Sequence, residues 1–443
     1  MPTGAILKMV ASSTPSGMQP NRPSAAGPRE PWALLVPLSL AGFLLIGGML
    51  TSLSVHVSVI QPLQGWSAAE AGAGPVALLI GMSTGNLLIS PALRKLGVNG
   101  TFALGALLAA LAWAAAGWSD TLTGFSLALA IAGIGCGLAT IVPGIALLTQ
   151  AFHAHRGLAI GLFIGSCSLA SSTMPMGTNL LIESFGWRGA FEIVGLAALT
   201  LVPVLWWFLP RGLASGSEHD GHGESENGAG ENGGKASAQD GLAWQAALRS
   251  PAFWALTLVL TLSMVCMNGV LFNIVTYLQD RAMPAPDAVA LYSFTNFMSL
   301  PGLLIGGYLS DRVRVQVLFP TVLLVQGLGT LALLGMGDAG LMATAATAAF
   351  VLLWGGVAGL PAQAGSLMLR EIAGRREFPA LLAIVFTING FVGALAPGLT
   401  GWLRDVTGDY RSAFALFGLI MIASAVAALW CREPRPHVAA ARF

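Results

Sequence analysis

The stretch "GWRGAFEIVG", residues 186–195, recurs in the second half of the chain as "DYRSAFALFG", residues 409–418. Arginine, alanine, phenylalanine and glycine keep their relative positions: Arg188, Ala190, Phe191 and Gly195 correspond to Arg411, Ala413, Phe414 and Gly418. Each copy stands between two apolar runs. A turn repeated about half a chain length apart predicts two equivalent halves.

Composition places these halves in a membrane. The chain has 443 residues, of which 55% are hydrophobic and 9% charged, and its mean hydropathy is +0.74. Soluble domains carry about 25% charged residues, so we expect lipid as the surrounding solvent. Helices are the expected element, because an open sheet edge leaves unpaired backbone groups in hydrocarbon. The net charge of +1 is uninformative about nucleic acid, and since the chain has no basic block, no nucleic-acid partner is expected.

A membrane-spanning helix needs about 20 mostly apolar residues. Twelve segments meet this requirement: 33–58, 73–93, 101–118, 122–149, 157–182, 189–209, 252–278, 288–309, 315–335, 341–368, 379–402 and 412–431. The predicted fold is an all-α integral membrane protein with twelve transmembrane helices, in two six-helix halves related by a pseudo-twofold repeat.

The predicted domains follow from the polar stretches. Residues 32–210 and 251–431 form the two bundles, and the Gly-, Ser- and acid-rich residues 211–250 form a flexible cytoplasmic linker. Residues 1–31 and 432–443 are expected to be cytoplasmic tails, the first of them disordered. "SAAE", residues 67–70, is a predicted capping box at the start of the second span.

Basic residues predict the orientation. With both termini in the cytoplasm, all but four of the 21 Lys and Arg residues lie on the inner side. The four exceptions are Arg188, Arg281, Arg404 and Arg411. We therefore expect a multi-pass protein of the cell (inner) membrane. The repeated arginines are predicted to fix turns by ion pairs, Arg188 with Glu183 or Glu192 and Arg411 with Asp405 or Asp409.

The loops after spans two and eight echo each other as "LLISPALRKLG" (87–97) and "LLIGGYLSDRVR" (303–314). The layout and the second loop resemble the major facilitator superfamily, whose loop motif reads roughly G-x-x-x-D-R. Gly307, Asp311 and Arg312 match that motif, whereas the first loop has Arg94 without an aspartate. The resemblance implies that these residues form the conformational switch between inward- and outward-facing states.

Within that superfamily, "HRGLAIGLFIGS" (155–166), "ESFGWRGAF" (183–191) and "GWLRDVTGDYRSAF" (401–414) are similar to monocarboxylate and oxalate/formate-type porters. The resemblance implies a secondary transporter of a small organic anion working by alternating access, with proton symport as one option. Such carriers usually place an arginine before a proline on span eight and a lysine on span one. Here Leu300 precedes Pro301 and Thr51 stands at about the lysine position. An exporter or importer of neutral or amphipathic molecules, of the drug-efflux type, is the alternative.

Near the expected midplane, polar side chains are amides and hydroxyls. Asn268 and Asn296 are the leading candidates for substrate contact; the full predicted set is Thr51, Ser52, Ser172, Asn268, Asn296, Gln363 and Asn389. Helix-to-helix hydrogen bonding is the alternative role for each. Backbone N–H groups at helix breaks, at Gly47–Gly48 and Pro175, could hold an anion. His56, the one ionisable side chain well inside a span, is the proton-coupling candidate, with a structural hydrogen bond as the alternative.

No G-x-x-x-x-G-K-[ST] loop is present, so this chain cannot drive transport with ATP. "GIGCG", residues 133–137, is predicted to be a close helix-packing surface. No cluster of nucleophiles, carboxylates or metal ligands lies at one depth, so neither an enzyme nor a cofactor or metal site is expected. The expected partners are a small-molecule substrate and the lipid bilayer, and we expect a monomer.

Overall fold

A computed structural model of the chain describes residues 31–152, 155–210, 248, 250–336 and 340–430. These residues form helices joined by short turns, and none of them lies in a strand. The predicted tails 1–31 and 432–443 and the predicted linker 211–250 fall outside the described residues, apart from residues 31, 248 and 250.

Residues 31–210, called the first part, contain seven α-helices. These are α1 (Leu35–Ala41), α2 (Leu53–Gln64), α3 (Ala68–Gly117), α4 (Leu122–Ala139), α5 (Ile141–Ala151), α6 (Arg156–Leu199) and α7 (Leu201–Phe208). A π-helical segment, Gly42–Thr51, joins α1 to α2, so residues 32–64 form one long helical stretch.

Residues 250–430, called the second part, contain eight α-helices. These are α8 (Pro251–Asp280), α9 (Ala285–Phe297), α10 (Ser299–Arg312), α11 (Val315–Ala332), α12 (Leu341–Ala349), α13 (Leu360–Ala394), α14 (Ala396–Thr407) and α15 (Arg411–Trp430). A second π-helical segment, Phe350–Trp354, follows α12.

Among the described residues, ten helical stretches are long and apolar enough to cross a membrane. Two of them, of 50 and 52 residues, are far too long for one crossing of a core about 30 Å thick. Each is interrupted by a glycine with positive φ, Gly97 (70°) in α3 and Gly186 (73°) in α6. Such a conformation suits glycine because it has no side chain.

Contacts with neighbouring helices show that α3 doubles back at Gly97 and that α6 doubles back at Gly186. A methyl group at Gly133 of α4 would lie 2.1 Å from the Leu78 carbonyl oxygen, and one at Gly135 would lie 2.4 Å from the Gly105 carbonyl oxygen. A single turn of α4 therefore contacts α3 both before and after Gly97. In the same way, Gly48 lies against Met174 and Val194, on opposite sides of Gly186 in α6.

The described helices end at two faces. The Asp405 face contains the contacts of Ala68 with Asp405, Asp120 with Arg188, Asp280 with Arg404, Arg281 with Met336 and Arg411 with Leu334. The Arg94 face contains Arg94 and the contacts of Asn99 with Trp206 and Gln316 with Glu371. Trp118, at the Asp405 face, and Trp207 and Trp430, at the Arg94 face, are among the most exposed aromatic side chains, as expected for residues at membrane interfaces.

The predicted capping box begins α3. The Ser67 hydroxyl accepts from the Glu70 N–H at 3.2 Å, and the Glu70 carboxylate accepts from the Ser67 N–H at 2.9 Å. Sequence spacing was sufficient to predict this capping box because both partners lie within one helical turn.

The repeated "RxAFxxxG" motif makes the same kind of contact twice. The Arg188 side chain binds Asp120 in the loop after α3, and the Arg411 guanidinium donates to the Leu334 carbonyl after α11 at 2.7 Å. Gly195 packs against Ala114 of α3, and Gly418 packs against Leu331 of α11. Each copy thus binds and packs its own helix against an earlier helix of the same part.

The predicted partners of these arginines need correction. Arg188 binds Asp120 rather than Glu183 or Glu192, and the Glu183 carboxylate accepts from Asn179 instead. The side chain of Arg411 binds a carbonyl, while Asp409 accepts from the backbone N–H of Arg411 at 3.1 Å. The prediction was limited to neighbours in sequence, whereas the turn after α3 lies closer in space.

The predicted packing role of "GIGCG" is confirmed by the contacts of Gly133 and Gly135 and by Gly137, where a methyl group would lie 2.4 Å from the Met82 carbonyl oxygen. In lipid, close backbone approach at small residues replaces the hydrophobic effect as the force that joins helices.

We expect Gly133→Ala to destabilise the protein by about 1–3 kcal/mol, since its methyl group meets a backbone oxygen that cannot move alone. Gly161→Ala is the matched control, because a methyl group there meets no atom within 4 Å, and it should stabilise α6 by about 0.5–1 kcal/mol. Thermal melting of both variants in detergent checks the prediction. Equal melting temperatures would contradict it.

Candidate functional site

The two parts meet along a seam between the start of α3 and helices α13 and α14. At the Asp405 face, the two carboxylate oxygens of Asp405 accept from the N–H groups of Ala68 (3.0 Å) and Ala69 (2.8 Å). Further along, a methyl group at Gly72 would lie 2.8 Å from the Pro397 carbonyl oxygen. A third close approach joins the parts at Gly390, where a methyl group would lie 2.6 Å from the Ser83 hydroxyl oxygen.

These three contacts span part of the depth of the bundle, measured along α3. Ser83 lies fifteen residues beyond Ala68, which is about 22 Å along a helix. The hydrocarbon core is about 30 Å thick. The seam therefore brings the parts together from the Asp405 face to beyond the midplane.

A second connection crosses between the parts near the π-helical segment Gly42–Thr51. The Tyr292 hydroxyl of α9 donates to the Thr51 carbonyl oxygen at 3.2 Å, and the Tyr292 side chain is buried. Nearer the Asp405 face, the Gln279 amide of α8 donates to the Ser58 hydroxyl of α2 at 3.4 Å. Tyr292 is not among the site residues predicted from the sequence.

The predicted site residues Thr51 and Ser52 bind their own helix. The Gly47 carbonyl oxygen accepts from the Thr51 hydroxyl at 2.9 Å and from the Ser52 hydroxyl at 2.8 Å. The predicted break at Gly47–Gly48 is a π-helical segment, in which the wider turn alters the hydrogen-bond ladder without unwinding the chain. The predicted break at Pro175 is wrong: α6 continues through it and turns at Gly186, whose positive φ suits glycine.

Two predicted asparagines connect α8 to α13. The Asn268 amide donates to the Gly393 carbonyl at 3.0 Å, and the Asn389 amide oxygen accepts from the Thr261 hydroxyl at 2.6 Å. Asn296 instead donates to the Tyr292 carbonyl of its own helix at 3.0 Å. Their binding roles stay predictions, and Asn268 has a structural role as well.

Ser172 and Gln363 lie apart from these residues. The Ser172 hydroxyl donates within α6, to the Leu169 carbonyl oxygen at 2.8 Å. Gln363 lines a small pocket within the second part, together with Gly306, Ser310 and Leu318, and its amide oxygen has no hydrogen-bond partner among the described residues.

His56 lies inside the first part. It is fully buried, its Nδ1 is 3.1 Å from the Ser52 carbonyl oxygen, and its ring packs on Phe191 (4.2 Å between ring centroids) and Trp113 (5.6 Å). His56 would therefore carry out its predicted role in proton coupling from within the packed first part.

The predicted switch residues lie near the Arg94 face. Arg94 is exposed, a methyl group at Gly307 would meet no atom of the described side chains within 4 Å, and the Arg312 guanidinium lies over the Tyr308 ring at 4.3 Å from its centroid. The side chain of Asp311 lies outside the part of the structure that is described. The switch role stays a prediction.

The sequence of the chain matches a known protein family. Residues 33–364 match the family described as the Major Facilitator Superfamily. The chain belongs to the Major Facilitator Superfamily. Members of this family are transporters, so the chain is a multi-pass membrane transporter rather than an enzyme.

Curated relatives carry a more specific name. The chain is 26% identical over 335 residues to monocarboxylate transporter 13 of Bos taurus, covering 74% of this chain and 72% of that protein. It is also 26% identical to monocarboxylate transporter 11 of Homo sapiens, covering 72% of this chain and 65% of that protein.

Solved structures share the fold. The nucleoside transporter NupG superposes with a TM-score of 0.72 at 12% identity, covering 90% of this chain and all of that one. The inward-open xylose transporter XylE from E. coli gives a TM-score of 0.66 at 16% identity, covering 89% and 94%. At these identities the likeness concerns the fold alone.

Asn268→Leu should lower stability by about 0.5–1.5 kcal/mol, because it removes a buried hydrogen bond between α8 and α13. Asn296→Leu should change stability less, because the amide binds a carbonyl of its own helix. Melting temperatures of the two purified variants test this difference. An equal or larger loss for Asn296→Leu would contradict the prediction.

Proposed function

We propose that the chain is a secondary transporter that moves a small monocarboxylate across the membrane by alternating access. The observation that carries the proposal is the close contact between the parts from the Asp405 face to beyond the midplane, along α3, α13 and α14. A transporter of two halves needs a barrier on one side of a central site at a time. The names of the curated relatives support a monocarboxylate as the substrate class.

We infer twelve spans from the ten long helical stretches, since α3 and α6 each double back at a glycine. Six spans then fall before residue 210 and six after residue 250. The matching contacts of Arg188 and Arg411 at the two copies of the repeat support a pseudo-twofold relation between the halves. A single polypeptide contains both halves, which is consistent with a monomer.

The Arg94 face is the proposed cytoplasmic face. It carries Arg94, Lys95, Arg312, Arg314 and Arg370, and positive residues favour the cytoplasmic side. Both termini would then be cytoplasmic, and the membrane would be the inner membrane of the cell. With the Asp405 face outside, the described conformation is closed to the exterior.

The proposed substrate site lies near the inner end of the seam, beside Tyr292 and Asn296. The amides and hydroxyls there suit a carboxylic acid that carries its proton, because an acid group then offers one donor and one acceptor to an amide. Transport of the protonated acid would couple substrate and proton directly. His56 is the second candidate for the coupling step.

The neutral-cargo alternative rests on one observation. Leu300 precedes Pro301 and Thr51 lies on the first span, where monocarboxylate carriers of similar sequence usually place an arginine and a lysine. A site without those cations would also accept an uncharged polar molecule. The uptake experiment below separates the two cargo classes.

Uptake into proteoliposomes tests the proposed function. We expect accumulation of short monocarboxylates when the pH gradient drives protons with the substrate, and no accumulation of the matching primary amides. Empty liposomes give the rate of passive diffusion. Equal uptake of acids and amides would favour neutral cargo, and uptake of neither would contradict the proposal.

Asn296→Leu should weaken binding of the transported acid about tenfold, since one hydrogen bond to the substrate is lost. Asn273→Leu is a matched control, because Asn273 is also buried and also donates to a carbonyl of its own helix, that of Gly269, at 3.0 Å. Calorimetric titration of each folded variant measures the dissociation constant. Equal affinities would remove Asn296 from the site.

A further inference from the structure

The first turn of α3 is completed by the second part of the chain. A helix begins with N–H groups that have no partner inside the helix. The capping box satisfies the N–H groups of Ser67 and Glu70. The two N–H groups between them, those of Ala68 and Ala69, both donate to Asp405 of α14.

Asp405 can reach this turn because α14 approaches α3 very closely. A methyl group at Gly401, one turn before Asp405, would lie 2.1 Å from the Ala68 carbonyl oxygen. The negative carboxylate also meets the positive end of the α3 dipole. Arg404 flanks the contact, with its guanidinium 3.7 Å from Asp405 and 3.4 Å from Asp280 of α8.

Separation of the two parts at this face must break both bonds at once. The Ala68 and Ala69 N–H groups would then lose the acceptor that completes the α3 turn, and Asp405 would leave the helix terminus. Glu70 cannot replace it without leaving the Ser67 N–H that it already binds. The contact therefore favours the closed arrangement over any arrangement in which the Asp405 face is open.

We propose that Asp405 is a latch that holds the Asp405 face closed and sets the balance between the two states of the transporter. The proposal rests on the alternating-access function proposed above. Hydrogen bonds to a charged group typically shift an equilibrium by a factor of ten or more. Loss of the carboxylate should thus raise the open population at least tenfold.

Spin-label distances at this face test the latch. Leu63 of α2 and Val406 of α14 are well exposed, at 65% and 66%, and accept labels after replacement by cysteine in a chain whose native cysteines are alanine. Double electron–electron resonance in lipid nanodiscs, without substrate, gives the ratio of long to short distances. The parent should show mainly the short distance, and Asp405→Ala should raise the ratio at least tenfold.

Ala68→Pro attacks the same contact from the other part. Proline removes the Ala68 N–H, is well tolerated at the first position of a helix, and suits the extended backbone of Ser67 (ψ 165°) before it. It should also raise the ratio, but less than Asp405→Ala, because the Ala69 N–H still donates to Asp405. The double variant should match Asp405→Ala alone, because that variant already removes both bonds. Asp287→Ala is the control: Asp287 is an exposed acid in the first turn of α9, and its loss should leave the ratio within about twofold.

An unchanged ratio in folded Asp405→Ala overturns the proposal, as does a parent that already shows mainly the long distance. Fully additive changes in the double variant would also overturn it. Should Ala68→Pro fail to fold, Asp405→Ala and Asp405→Asn decide the question, with a smaller shift expected for asparagine. The distances need no substrate, so a failed uptake experiment and a failed latch remain distinguishable.

Discussion

The architecture depends on close backbone contact between helices. Lipid tails are as apolar as leucine, so helices in a bilayer gain little from burying leucine against leucine. This chain meets that constraint with glycine: a methyl group at Gly81 would lie 2.0 Å from the Ala130 carbonyl oxygen, and one at Gly302 would lie 1.8 Å from that of Gly356. Such contacts leave no room for a larger side chain, and they make each part of the chain a tightly packed unit.

The seam between the parts uses the same kind of contact. Gly72 and Gly401 let α3 meet α14, but the closing interaction there is polar and lies at the rim, where Asp405 binds the start of α3. Near the middle of the bundle, the Tyr292 hydroxyl adds a hydrogen bond to a carbonyl of the first π-helical segment. Tight packing within each part, with polar contacts at the rim of the seam, suits the alternating-access function proposed above.

Features fixed by short sequence spacing were predicted well. The capping box of Ser67 and Glu70, the packing role of "GIGCG" and the helical character of the spans each depend on residues within a few turns of one another. Spacing also revealed the repeat, although it could not assign the partner of Arg188.

Contacts between distant residues could not be predicted in this way. Asp405 and Ala68 are 337 residues apart, and Asn268 and Gly393 are 125 apart. Their proximity depends on how complete helices pack, which composition and spacing leave open. For the same reason, the sequence identified Asn268 as a polar residue near the midplane but could not predict its contact with α13.

The dimensions of the helical stretch Val315–Gly335 restrict the thickness of the bilayer that can surround it. With 21 residues, it is about 30 Å long, which equals an average hydrocarbon core. Extended backbone at Arg314 (ψ 131°) and Met336 (ψ 150°) ends the stretch on both sides. The stretch has little surplus length to absorb by tilting, and a thicker, sterol-rich membrane would have to thin around it. Hydrophobic mismatch at this single stretch would therefore favour bilayers of average or lower thickness.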